Sequence, residues 1–135
     1  MGKDRLEKGL KLRKQVLGAD YVERSMASAD EFSMPMQELS TEYCWGYVWT
    51  RPGLALRDRS LINIAMISAL NRPHELKLHV KAALTNGVTR EEIREVLLQV
   101  AVYCGVPAGI DSVRIAREAF AELDHAKQGL SLIHI

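Results

Sequence analysis

The chain has 135 residues, of which 47% are hydrophobic and 26% charged, with a formal net charge of +1. That is one domain of ordinary size with enough apolar material for a core, and the balance excludes both disorder and nucleic-acid binding driven by a basic surface. No apolar run approaches the roughly 18 residues of a membrane span. The charged opening "MGKDRLEKGLKLRKQVLG" lacks the apolar centre of a signal peptide, and Leu6 stands where a myristoylation motif needs Ser or Thr. A cytoplasmic protein that binds neither membrane nor nucleic acid is expected.

Helical periodicity runs through almost the whole sequence. A first helix is predicted over Asp4–Leu17, stopped at Gly18, which suits a left-handed C-cap. Asp20 is placed to cap a second helix ending near Ala29. Pro35 lacks a backbone donor and must break or kink its run, so a joint through "FSMP" and a further helix from Met36 to about Trp49 are expected. "TRPGLALRDR" reads as a loop because of Pro52 and Gly53. In "RDRSLINIAMISALN", Leu61, Ile62, Ala65, Met66, Ala69 and Leu70 recur at helical spacing. Pro73 ends that helix and opens the next, which stops at Asn86-Gly87. Thr89 with Glu92 three residues on is a capping box for a helix that stops at Gly105, and Pro107 opens the last one. No stretch alternates with period two. The prediction is an all-α domain over residues 1–128, a compact bundle of about seven helices. A helix end at Gly129 leaves "GLSLIHI", residues 129–135, as a disordered or non-native tail.

Several residue groups could carry chemistry. "RPHELKLHVKAA" suggests a zinc helix, but His74 and His79 are five apart, about 140° around a helix, and cannot share a metal as an i, i+4 pair does. Glu75 and His79 are the i, i+4 pair. They are either a solvated ion pair or a proton-transfer pair, since an imidazole titrates near neutrality. Half of the eight aromatic residues fall in "YCWGYVW", with Trp45 and Trp49 at i, i+4. This cluster is either a packed helix end or the wall of a pocket that Arg51 anchors for an anion. Arg57 and Arg59 are basic at the following helix start, and His74 with Arg72 could line the same pocket or the surface. Cys44 and Cys104 are expected to be small buried apolar residues rather than a disulfide or a dithiol. There is no glycine-rich nucleotide loop, metal cluster or Ser-His-Asp signature.

The stretches "WGYVWTRPGL", "RDRSLINIAMI" and "NRPHELKLHVKAALTNGVTREEIREVLLQVAVYCGVPAG" resemble the carboxymuconolactone decarboxylase family, over roughly Leu6 to Leu123. The resemblance implies an alkylhydroperoxidase-like fold and a homohexamer built as a trimer of dimers. The implied reaction is cofactor-independent and metal-free: 4-carboxymuconolactone, a dicarboxylate lactone of the protocatechuate branch of the β-ketoadipate pathway, loses CO2 to give β-ketoadipate enol-lactone. On this reading His79 donates a proton, tuned by Glu75. Arg51, with Arg57 or Arg59, holds the substrate; Trp45 and Trp49 exclude water and His74 is a reserve donor. Peroxidatic relatives in the same superfamily use C-x-x-C-x-x-x-H with an upstream glutamate. Those three positions fall on Arg72, Glu75 and Ser60, so only the histidine survives. The alternatives are a thiol-dependent redox protein using Cys44 or Cys104, and a non-catalytic oligomer that binds small acids.

Overall fold

The computed structural model describes residues 2–133, with side chains through residue 129. Among these residues the chain is all-α, with seven α-helices and one π-helical segment and no strand. The helices are α1 (Gly2–Leu17), α2 (Ala19–Ala27), α3 (Met34–Leu39), α4 (Leu56–Leu70), α5 (Pro73–Thr85), α6 (Arg90–Cys104) and α7 (Val106–Ile133), and the π segment is Ser40–Val48. The span expected as one domain is made of two compact units, which meet in sequence at Leu56 and Arg57.

In the N-terminal unit α1 packs mainly against the π segment, and backbone touches backbone there. A Cβ on Gly9 would lie 2.0 Å from the Thr41 carbonyl oxygen and 2.7 Å from the Gly46 nitrogen. One on Gly46 would lie 2.2 Å from the Arg5 carbonyl oxygen. Neither position can carry a side chain without moving a main chain. Beside this contact Arg13 is buried, and its Nη1 donates to Gln37 Oε1 at 2.9 Å and to Thr41 Oγ1 at 3.0 Å. These bonds offset the desolvation that pulls the guanidinium pKa below its ordinary value.

Local expectations are corrected in three places here. Asp20 is inside the first turn of α2 rather than at its cap; Gly18, at φ +97°, holds the cap position. Pro35 does not interrupt a helix but occupies the first turn of α3, where a missing N–H costs nothing. The expected α-helix from Met36 to Trp49 becomes π-helical from Ser40, ending with the Trp49 N–H donating to the Cys44 carbonyl at 2.9 Å. Such i→i+5 segments are rare and concentrate at functional sites.

The C-terminal unit is built on Ile64, Leu76, Val80, Ala83, Ile93, Leu97, Ile115, Ala116 and Ala119, contributed by all four of its helices. A Cβ on Gly109 would meet the Ala101 Cβ at 2.5 Å, so α6 and α7 cross closely there. Outside the core, Lys77 and Lys81 both reach Glu122 at 2.7 Å and hold its carboxyl down at about 2. The capping box is formed as predicted, and Glu92 Oε2 also pairs with Arg57, which joins the start of α4 to the start of α6. The last helix passes through Gly129 to Ile133, so the expected stop at Gly129 is absent; residues 134–135 lie outside the described residues. A glycine permits a helix end but does not impose one.

The glycine crossing yields a stability test. Gly9→Ala should lose about 3 kcal/mol in urea unfolding, because the clash is with backbone that cannot give way. Gly53→Ala, with nothing within 4 Å of its added Cβ, should change stability little.

Candidate active site

His79 lies in the second turn of α5, half-buried, and faces α4. Asn63 Nδ2 is 3.5 Å from His79 Nδ1, a long contact in which the amide donates and the ring nitrogen accepts. That leaves Nε2 to carry the proton of the neutral imidazole. Burial pushes the His79 pKa below 6.5, and the Glu75 carboxylate one turn earlier pulls it part of the way back. The predicted pair is therefore a real electrostatic one, with the carboxylate in the solvent and the imidazole partly withdrawn from it. Asn63 was not foreseen. Its signal was a lone amide inside the apolar run "SLINIAMIS".

The other expected residues divide between the units. His74 is exposed at the start of α5. Arg59 is half-buried in the first turns of α4, and Arg57 is engaged by Glu92. In the N-terminal unit Trp45 and Trp49 are buried and stacked, with centroids 4.6 Å apart and planes inclined by 27°. Arg51 leaves the end of the π segment with its guanidinium over the Tyr47 ring at 5.4 Å, while Arg5 lies over the same ring at 5.9 Å. Trp49 and Arg51 line an open groove of about 560 Å3 with Lys8, Lys11, Leu12 and Leu54. This groove combines cationic tips with apolar walls, a combination that suits a small organic anion.

The cysteines correct a second expectation: both are exposed and free, not buried. Cys44 is nonetheless crowded enough that desolvation raises its thiol pKa, which opposes the thiolate that peroxide chemistry needs. Among the described residues no three His, Cys, Asp or Glu side chains gather as a metal site. No described helix is long and apolar enough to cross a membrane.

Burial of a neutral imidazole has a definite pH signature. The unfolded chain binds a proton at His79 more readily than the folded chain, so the stability contributed by the neutral ring is complete above about pH 6.5 and is lost as pH falls below it. In urea titrations between pH 7.5 and 5, the wild type should lose more stability than His79→Gln. Parallel curves would show that the ring is not withdrawn from water.

Residues 35–118 match the carboxymuconolactone decarboxylase family. Two curated relatives extend the similarity to most of the chain. The nitrosuccinic acid decarboxylase npaB of Metarhizium robertsii is 44% identical over 117 residues, covering 87% of this chain and 82% of its own. The 4-carboxymuconolactone decarboxylase of Acinetobacter baylyi is 39% identical over 124 residues, 92% of both chains. The helical fold, the extent of the match and both relatives agree: the chain belongs to the carboxymuconolactone decarboxylase family, and decarboxylase is the enzyme class that its relatives support.

Proposed function

We propose that the protein decarboxylates 4-carboxymuconolactone to β-ketoadipate enol-lactone in the catabolism of aromatic acids, with His79 as the proton donor. The reading draws most directly on the half-buried His79 held by Asn63 and flanked by Glu75. The carbon–carbon bond to the ring carboxylate breaks, and its electron pair passes through the C=C into the lactone carbonyl. CO2 leaves, and a dienolate remains. The His79 imidazolium then gives its proton to the carbon alpha to the carbonyl, and the neutral ring regains one from solvent. The substrate carries its own electron acceptor, so the reaction needs no cofactor.

The lowered pKa leaves His79 neutral in the free protein at neutral pH, whereas a proton donor must be charged. Binding resolves this conflict, because a dianionic substrate beside the ring favours the imidazolium. Asn63 is a positioning residue: its NH2 group faces Nδ1 of the neutral ring, and a 180° rotation of the amide would bring Oδ1 there to accept from the imidazolium, leaving Nε2 for the reaction. Arg51 is assigned to the remaining carboxylate, from its place in the basic groove of the N-terminal unit; Arg57, already on Glu92, is the weaker candidate. Trp45 and Trp49 are assigned to keeping water away, Arg59 and His74 to supporting roles.

Nitrosuccinic acid is the second reading, favoured by the 44% identity to npaB. There the electron pair would pass to a nitro group on the carbon that loses CO2, and a carboxylate again remains for an arginine. The protein is also proposed to be a cytoplasmic homohexamer, a trimer of dimers. Val102, Tyr103, Val106 and Ile110, between 60% and 82% exposed at the junction of α6 and α7, would be covered by another copy. Light scattering at the mass of one chain would refute the assembly.

The deciding experiment is turnover of each acid in the presence of EDTA, followed by CO2 release. Failure of both acids with folded protein would refute this reading. With the active acid, His79→Ala should lower kcat by about 10²–10⁴-fold. Arg51→Gln should act mainly on KM, raising it about tenfold. The pH profiles separate the proton donor from a merely structural histidine. As pH rises, kcat/KM should begin to fall at a lower pH than kcat, because the bound substrate raises the His79 pKa. Coincident profiles would remove His79 from the proton transfer.

A further inference from the structure

A second polar cavity lies in the C-terminal unit, where the end of α4, the start of α5 and the first half of α7 come together. It has a volume of about 250 Å3, and its lining includes neither His79 nor Asn63. Ser68, Arg72, Leu76, Asp111, Ser112 and Arg114 face it. Arg72 precedes His79 by seven residues, about 10 Å along the helix axis, so the cavity is at the start of α5, before the turn that carries the proposed proton donor.

Three observations give this cavity a ligand-binding character. Ser68 is 1% exposed, and its hydroxyl makes no hydrogen bond within the protein. A buried hydroxyl without a partner is costly, and a ligand that supplies one removes the cost. Second, α5 begins here with no side chain capping it, so the positive end of its dipole is uncapped, although Pro73 has no N–H and the Leu76 N–H is spent on the Arg72 carbonyl at 2.9 Å. Asn71, at φ +56°, turns the chain sharply just before that helix start. Third, two guanidinium groups are at hand. Arg72 spends one N–H on the Leu70 carbonyl at 2.9 Å. Arg114 makes only exposed contacts with Asp111 at 3.9 Å and Glu118 at 3.3 Å.

We infer that this cavity binds the carboxylate group of a small organic acid. The lining supplies hydroxyls at Ser68 and Ser112 and two arginines, of which Arg114 is shared with Asp111 and with Glu118 just outside the cavity. The site is independent of the proposed chemistry at His79 and would persist if the substrate assignment failed.

The test is isothermal titration of succinate into the protein and three variants, each checked for helical content. In His79→Gln, saturable binding should persist with unchanged affinity. In Arg114→Gln the affinity should fall about tenfold, as expected for one lost charge-assisted contact. Arg114 is exposed, so its replacement should fold. Ser68→Ala removes the orphan hydroxyl and should weaken binding while raising the stability of the succinate-free protein. Absence of saturable binding, or binding lost in His79→Gln and kept in Arg114→Gln, would overturn the proposal. A water-filled cavity predicts the first of those results.

Discussion

The contact between Gly9 and Gly46 is the constraint on which the N-terminal unit depends. With no Cβ on either side, α1 approaches the π segment until carbonyl oxygens stand where side chains would be. That approach leaves Thr41 and Trp45 wholly buried, gives Arg13 its hydroxyl partner, and keeps Trp45 stacked on Trp49. Arg51 is reached from the same contact in a few steps. The Trp49 N–H closes the last wide turn on Cys44, the Thr50 hydroxyl donates to the Gly46 carbonyl at 2.7 Å, and Arg51 lies over Tyr47. A long, rotamer-rich cation thereby has a ring beneath its guanidinium, which narrows the positions it can take at the mouth of the groove.

The C-terminal unit resolves a different tension. Arginine and glutamate pairs there are spent on structure: Arg57 with Glu92, Arg90 with Asp124, and the two lysines with Glu122. These exposed pairs contribute modestly to stability, but they tie α4 to α6 and both α5 and α6 to α7. His79 is treated otherwise. It is withdrawn from water and given an amide partner and a nearby carboxylate that does not touch it closely enough to win against desolvation. Such a ring has a pKa that answers to whatever charge arrives beside it, which is the property a proton donor needs and a structural histidine does not.

Much of this was legible in the sequence because it rests on local rules. The capping box at Thr89 and Glu92, the stop at Asn86-Gly87 and the helix starts near Pro73 and Pro107 follow from backbone donors and ring geometry. The π segment was not legible: its residues have no composition that distinguishes i→i+5 from i→i+4 bonding, and the glycine contact that accompanies it is with a helix distant in sequence. For the same reason Arg57 looked like a ligand for an anion until Glu92 was found beside it, 35 residues on. The second cavity escaped notice because Ser68 is an ordinary small residue in a helical stripe, and a missing partner leaves no trace in sequence.

The two relatives act on acids that look unlike each other, yet the demand each reaction makes on a protein is similar. In a lactone with a conjugated C=C and in a nitro acid alike, the electrons released with CO2 have a destination inside the substrate. The protein need not accept them. It must hold a second carboxylate, keep water from competing, and return one proton to carbon. On the proposed assignment a histidine, an arginine and a pair of tryptophans would meet that list, and none of these residue types recognises a lactone as such. Discrimination between the acids must then come from the shape of the walls around the electron acceptor. Substitutions among wall residues could therefore change the substrate without changing the groups that bind the carboxylate and move the proton, which would let one family act on two such different acids.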